Sequence, residues 1–410
     1  MKAAPASWRV RVAGTIDDIG RHAWLPLETT SFYLSHDWLR AVEGMLSPEH
    51  PYLVVERGGE VVGVTACQLV RDPDVYAFYS LPALLLAPDR LAELQWWLAP
   101  DPARRMAALA AEVRPRAGQL LPALLATAPR GYESGISYHR SLSPAQREEV
   151  ARRMLDAFED LAARSGAATA AFLYVPESSD PQLEAALACR GYAPGVLGAE
   201  CSLHLSCRHF DGYLAHFRGG RRKSLQADVR RFTQAGCTVQ FGGAELLSDE
   251  LAALQAKTQS KYGHPVDPAR TARWYARVRN ELAQYTRVSI ARRGGDVLGF
   301  GLFFEAGGEL YGRVAGFDYA RLGGERGYFN VAFYEPIRYA TAAGLRRIHY
   351  GMESYQPKLE RGCTLETMRG WFRFQAGDAE RLAELLRLQS EAQRVQWAAL
   401  WEAYGQPLPP

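Results

Sequence analysis

Apolar residues recur at three- and four-residue steps in some stretches and run unbroken in others, and this mixture of periods predicts an α/β chain. From 144 to 165, Val150, Met154, Phe158 and Leu161 form one helical stripe behind a capping Ser143. A helix over 31–44 opens near Ser35 or Asp37 and turns Trp38, Leu39 and Val42 inward, and others are expected at 180–190, 249–262 and 271–283. Leu225, Val229 and Phe232 mark a further helix that stops at Gly236. β-rich runs predict strands at 52–56, 61–70, 132–139, 167–175, 199–205, 286–292, 297–305, 309–317 and 346–350. Residues 88–126, rich in Ala, Leu and Pro, read as a helical insertion with Trp96 and Trp97 as packing residues.

One pattern occurs twice. RGGEVVGV at 57–64 is matched by RGGDVLGF at 293–300, each a Gly-Gly hairpin downstream of helical sequence and upstream of strand, long helix and strand. The chain therefore reads as two copies of one α/β unit, 1–206 and 207–376, with 377–410 a C-terminal helix packing on the second copy. A length of 410 residues agrees, being too long for one ordinary core.

Chemistry concentrates in 311–374 of the second copy. After the strand at 309–317 comes Arg321-Leu322-Gly323-Gly324-Glu325-Arg326-Gly327, a turn whose freed N–H groups and two arginines suit an anion. Phe329, Phe333, Ile337 and Ala340 then form the apolar face of a helix that Pro336 is expected to kink or to bound closely. Beyond the next strand lies a polar loop with Glu353, Tyr355, Lys358, Glu360 and Arg361. Arg221, Arg222 and Lys223 crowd the start of the helix at 225–235, where cations oppose the helix dipole. Local stability does not account for them, whereas an anionic partner would.

A net charge of +3 is too small to require a nucleic acid, so any polyanion argument rests on such local clusters. Six cysteines without a CxxC pair or a spaced His pair give no metal site and predict reduced thiols. Neither a secretory leader nor a membrane span is expected, which points to the cytoplasm.

The turn, the helix YFNVAFYEPIRYATAAGL, the loop YGMESYQPKLERGC and the stretch FDGYLAHFRGGRRKSLQADVRRFTQAG resemble the donor half of a GNAT acyltransferase. More specifically they resemble the FemAB-like, peptidoglycan-bridge branch with two GNAT-like domains in tandem. That resemblance implies two mixed, mostly antiparallel sheets flanked by helices; no glycine loop in the first copy matches the turn at 321–327, so that copy is expected to have lost its donor site. It implies amide-bond formation, with no tightly bound cofactor. The donor is aminoacyl-tRNA, towards which the basic cluster tilts the choice, or acyl-CoA, and the acceptor is an amine on a peptidoglycan precursor, a natural product or a protein N-terminus. A non-catalytic RNA- or nucleotide-binding protein on the same fold is the alternative.

The expected roles follow from the chemistry of aminolysis. Glu353 or His349 would take the amine proton, and Tyr350 or Tyr355 would protonate the leaving atom. Backbone N–H groups near 312–315 would face the oxyanion, and Lys358 and Arg361 would hold a phosphate or carboxylate. The donor-binding set is completed by Arg221, Arg222, Lys223, Arg313, Arg321, Gly323, Gly324, Arg326, Gly327 and Asn330.

Overall fold

The computed structural model describes residues 7–177, 179–261, 266–322, 326–375 and 377–405. It divides into two compact units, Met1–Gly198 with Glu366–Ala399, and Ala199–Leu365 with Leu400–Pro410. In chain order the first eight strands are β1 (Trp8–Ala13), β2 (Leu27–Glu28), β3 (Tyr52–Arg57), β4 (Glu60–Val70), β5 (Ala123–Ala126), β6 (Ser137–His139), β7 (Thr169–Pro176) and β8 (Ala193–His204). They are followed by β9 (Cys237–Gly242), β10 (Thr286–Arg293), β11 (Asp296–Ala306), β12 (Glu309–Phe317), β13 (Arg347–His349) and β14 (Thr364–Phe374). The dividing points fall inside β8 and β14.

In the first unit the strand order is β1-β3-β4-β5-β7-β14. β1–β3, β3–β4, β4–β5 and β7–β14 are antiparallel, and β5 runs parallel to β7. The expected hairpin is present, with Gly58 and Gly59 supplying the left-handed turn between β3 and β4. Helix α1 (Pro144–Arg164) lays Val150, Met154 and Phe158 against that sheet, and its start is closed by a capping box in which Ser143 and Gln146 exchange side-chain and backbone bonds.

Three readings of this unit need correction. Of the span 132–139 only Ser137–His139 is a strand, because Glu133 turns back to bridge Ala128. The insertion at 88–126 is helical up to Leu120 but ends in β5, and Trp96 is 85% exposed instead of packed. The C-terminal helix Ala379–Tyr404 belongs to the first unit as far as Ala399: Gln389 donates to the Leu85 carbonyl, Gln393 to that of Val196, and Arg116 clamps Asp378 with two bonds. Its buried Leu382, Leu385 and Leu386 would otherwise lie on the surface.

The second unit repeats the plan in the order β8-β13-β12-β11-β10-β9, with β12 and β13 its parallel pair. Its helices are α2 (Gly219–Gln234), α3 (Asp249–Lys261), α4 (Pro268–Glu281) and α5, which runs through 327–342. The RGG hairpin recurs between β10 and β11. Pro336 does not break α5. Asn330–Tyr334 widens into a π turn, in which the Glu335 N–H reaches back to the Asn330 carbonyl, and Pro336 then opens the regular turns that follow.

Candidate active site

The site begins with a strand that loses its neighbour. β12 is nine residues long, yet it pairs with β13 only from Glu309 to Tyr311, opposite Arg347 to His349. From Gly312 onward no described strand lies on that side. Gly312 suits the parting point, since a Cβ there would stand 3.0 Å from the His349 carbonyl. On its other side β12 stays paired with β11 but slips register, Leu302 facing Val314 and Phe303 facing Gly312, so Arg313 is the extra residue of a bulge.

The gap is a cleft of about 610 Å³, lined by Ala315 and Phe317 of β12, by Tyr319 and Leu322, and by Arg326, Gly327, Tyr328 and Phe329 at the start of α5. Thr258 of α3 closes one end and accepts the Phe317 N–H at 2.8 Å, while Ser354 and Pro357 form the loop side. Arg326 stands at the head of α5 with a left-handed backbone (φ 61°) and no side-chain cap. Among the described residues no side chain caps the first N–H groups of α5. Gly327 is required by packing, for a Cβ would come within 2.2 Å of Leu322. Gly323 and Gly324 lie outside the described residues.

A buried carboxylate that the sequence reading did not single out holds this wall together. Asp228 of α2 is 8% exposed; its Oδ2 accepts from Tyr334 at 2.8 Å and from Arg361 at 3.1 Å, and its Oδ1 faces Arg326 at 3.5 Å. Asn330 donates to the backbone carbonyls of Asp228 and Arg326. Asn330 and Tyr334, four residues apart on one face of α5, thus meet the same residue of α2. Arg361 lies flat on Phe329 at 3.4 Å and donates to the Pro357 carbonyl. Asp228 was detectable in principle, because it falls between Leu225 and Phe232 on the buried stripe of α2.

This geometry changes several expected roles. Arg361 is 3% exposed and neutralised by Asp228, so it anchors the cleft wall instead of meeting a phosphate. Lys358 is buried too, with Nζ donating to the carbonyls of Gly351 and Met352, and it pins the loop for the same reason. His349 is not a base at neutral pH. Burial disfavours its charge, but Glu200 and Glu309 together outweigh burial and push its pKa up to about 9. The bond from His349 in turn holds Glu309 down to about 2, against burial, and the imidazole stacks on Tyr311 at 4.3 Å.

Tyr350 and Tyr355 do not line the cleft. Burial raises both phenols above their ordinary pKa; Tyr350 stacks on Phe333, and the Tyr355 oxygen accepts from the Ala199 N–H. Glu353 is exposed, and it and Ser354 both have left-handed backbones (φ 66° and 50°), which aims the loop. Arg321 pairs with Asp296, and Arg221 pairs with Glu360 at 3.2 Å. Arg222 and Lys223 are exposed, as are Arg218 and Arg230, and none of the four makes an ion pair with a described residue.

Among the described residues no cluster of His, Cys, Asp and Glu is placed to hold a metal, and no helix is long and apolar enough to cross a membrane. Sequence comparison with characterised proteins gives no match. The solved structure of FemX superposes with a TM-score of 0.55 at 12% identity, over 88% of this chain and 96% of that one. A tandem GNAT protein from the clavulanic acid biosynthesis pathway aligns at 0.48 and 11% identity, over 90% and 99% of the two chains. L-PGS from Bacillus licheniformis aligns at 0.44 and 13%, over 65% and 83%. The FemAB-like family model, described as peptidoglycan biosynthesis/recognition, matches residues 108–403, well over half of the sequence. On that match the chain belongs to the FemAB-like family.

Proposed function

We propose that the chain is an acyltransferase that joins an activated acyl group to an amine, with the donor seated in the cleft beside β12. The observation that carries this reading is the cleft itself: an unpaired strand edge opposite an uncapped helix start, with Arg326 between them. Family membership and the fold shared with FemX support it. In the reaction the amine nitrogen attacks the acyl carbonyl, a C–N bond forms, and the bond from carbon to the leaving oxygen or sulfur breaks. The nitrogen gives up a proton and the leaving atom gains one. Backbone N–H groups along 312–315 stabilise the oxyanion, and Arg326 with the head of α5 takes an anionic group of the donor. Glu353, next to the cleft-lining Ser354, accepts the amine proton.

We favour aminoacyl-tRNA as donor, because Arg218, Arg222, Lys223 and Arg230 expose positive charge along α2 that no described carboxylate neutralises. The amine of a peptidoglycan precursor is the acceptor class that the family description supports. Acyl-CoA is the second reading, favoured by the helix start, which suits a pyrophosphate equally well. Incubation of the full chain and an amine acceptor with labelled aminoacyl-tRNA or labelled acetyl-CoA separates them. RNase-sensitive transfer is expected, and transfer from the thioester that survives RNase would replace the first donor by the second. Glu353→Gln should lower turnover with donor binding unchanged, and unaltered turnover removes Glu353 from the mechanism.

A further inference from the structure

The second unit contains another recess, at the opposite end of its sheet. β10 and β11 are antiparallel with Thr286 facing Phe304, and Gly299 at the start of β11 faces Phe317, so Arg287 lies far from the donor cleft. Around Arg287, the residues Phe241, Glu335, Arg338 and Tyr339 line an open recess of about 450 Å³, a volume in the range of small-molecule sites. Tyr339 sits twelve residues along α5 from Gly327, about 18 Å at the rise of a helix.

Most charges around this recess are already answered. Arg287 donates through Nε to Tyr339 and faces Glu305 at 2.9 Å, while its Nη1 meets the carbonyls of Thr286 and Gln284. Arg338 is different. Its guanidinium lies on the Phe210 ring at 3.9 Å, its Nε is 3.9 Å from Glu335, beyond hydrogen-bond reach, and it makes no hydrogen bond to a described residue. Its Nη1 is shut off from solvent without an acceptor. That nitrogen is out of a ligand's reach, but the Arg338 side chain as a whole is 36% exposed, so the rest of the guanidinium remains open to an anion. Beside it Phe241 and Tyr339 stack at 4.5 Å with 27° between their planes, giving the recess a flat apolar wall.

We propose that this recess binds a small anion carrying a flat ring, its phosphate or carboxylate on Arg338 and its ring against Phe241. Both sources of that chemistry, a nucleoside monophosphate and an aromatic carboxylate, fit the same two contacts. The site recognises and performs no chemistry, and it is joined to the donor cleft through α5, which lines both.

Calorimetric titration of the full chain with AMP, UMP, 4-hydroxybenzoate and inorganic phosphate tests this. At least one ringed anion should bind, and Arg338→Gln and Phe241→Leu should each weaken it on the order of tenfold. Arg326→Gln should leave it unchanged, and phosphate alone should bind on the order of tenfold more weakly. A variant that loses its thermal transition is replaced by Arg338→Lys or Phe241→Met. The proposal is overturned if no ringed anion binds, if inorganic phosphate binds as well as the ringed anions, if binding ignores the Arg338 variants, or if it is lost in Arg326→Gln. That last result would place the ligand in the donor cleft.

Discussion

Each unit has a parallel strand pair, and these two pairs start alike and end differently. In the first unit β5 and β7 run side by side from Ala123–Ala126 to Thr169–Phe172, with α1 crossing between them, and in the second β12 and β13 do the same with α5. Past the end of pairing, the first unit fills the space with its own aromatic rings. Tyr79 and Tyr174 are fully buried there, Tyr132 stacks on Tyr79 at 5.7 Å, and the Tyr79 hydroxyl bonds the Ala128 carbonyl. The second unit leaves a cleft. Their helix starts differ in the same sense, since α1 is sealed by its Ser143 and Gln146 box whereas α5 begins at an uncapped Arg326. A site in this fold is thus made by withholding side chains that a purely structural copy would supply.

The sharpest way to break the comparison is to make the second unit resemble the first. Ala315→Phe places a ring on the cleft floor, and the donor then has no room beside β12. Turnover should fall by two or more orders of magnitude, as misplaced or excluded substrate demands, while the thermal transition stays within a few degrees. The reverse change, Tyr79→Ala, removes buried aromatic volume and should cost about 3–5 kcal/mol of stability by denaturant titration. Its activity per folded molecule should be untouched. If Tyr79→Ala instead abolishes turnover at full stability, the first unit has a chemical role and the contrast fails.

Next in size is Asp228→Ala. It would leave Arg361, at 3% exposure, without its carboxylate, a loss of about 3–5 kcal/mol for a broken buried pair. Because Arg361 also carries Phe329, the cleft wall should loosen, so donor KM should rise more than kcat falls among the molecules that remain folded. A stable variant with unchanged KM would show that the wall stands without the pair.

These cases also show where sequence was informative. The duplicated hairpin, the Ser143 cap and the stripe of α1 are local patterns, and each is found where periodicity and turn chemistry put it. The cleft is not local, because it depends on β13 stopping at His349 while β12 continues to Phe317, a difference in strand length visible only after pairing. Lys358 and Arg361 were misassigned because charge in a loop suggests solvent, whereas this loop folds inward and spends both cations on carbonyls and Asp228. Asp228 was overlooked among basic neighbours although its position on the apolar stripe marked it as buried.

The parallel pair of the second unit carries a charge device with no counterpart described in the first. His349 is raised to about 9 and Glu309 lowered to about 2. For the histidine the sign is that of a raised group: its contribution is complete below its ordinary 6.5 and disappears as pH climbs through about 9. Glu309 behaves oppositely, contributing above its ordinary 4.5 and losing that contribution as pH falls through about 2. Stability should therefore be highest between about 4.5 and 6.5 as far as this pair is concerned. Melting temperatures from pH 6 to about 10 should decline in the native chain and stay flatter in His349→Gln, and equal declines would remove the histidine as the cause.

The smallest predicted effects concern the two helix starts. Ser143→Ala opens the capping box of α1 and should cost about 1 kcal/mol of stability with no change in turnover, since that end lies outside the proposed donor cleft. At α5 the opposite substitution is informative. Arg326 has the left-handed backbone that Asn tolerates best among residues with a side chain, so Arg326→Asn can be accommodated while offering an oxygen to the free N–H groups. The chain should gain a few tenths of a kcal/mol in denaturant titration, and the donor should bind on the order of tenfold more weakly, having lost one cation and its helix N–H donors. Gain of stability with loss of affinity is the signature of a helix end kept open for a ligand. If Arg326→Asn changes neither, the uncapped start of α5 is an accident of packing around Gly327, and the difference between the two units reduces to the rings that fill one and not the other.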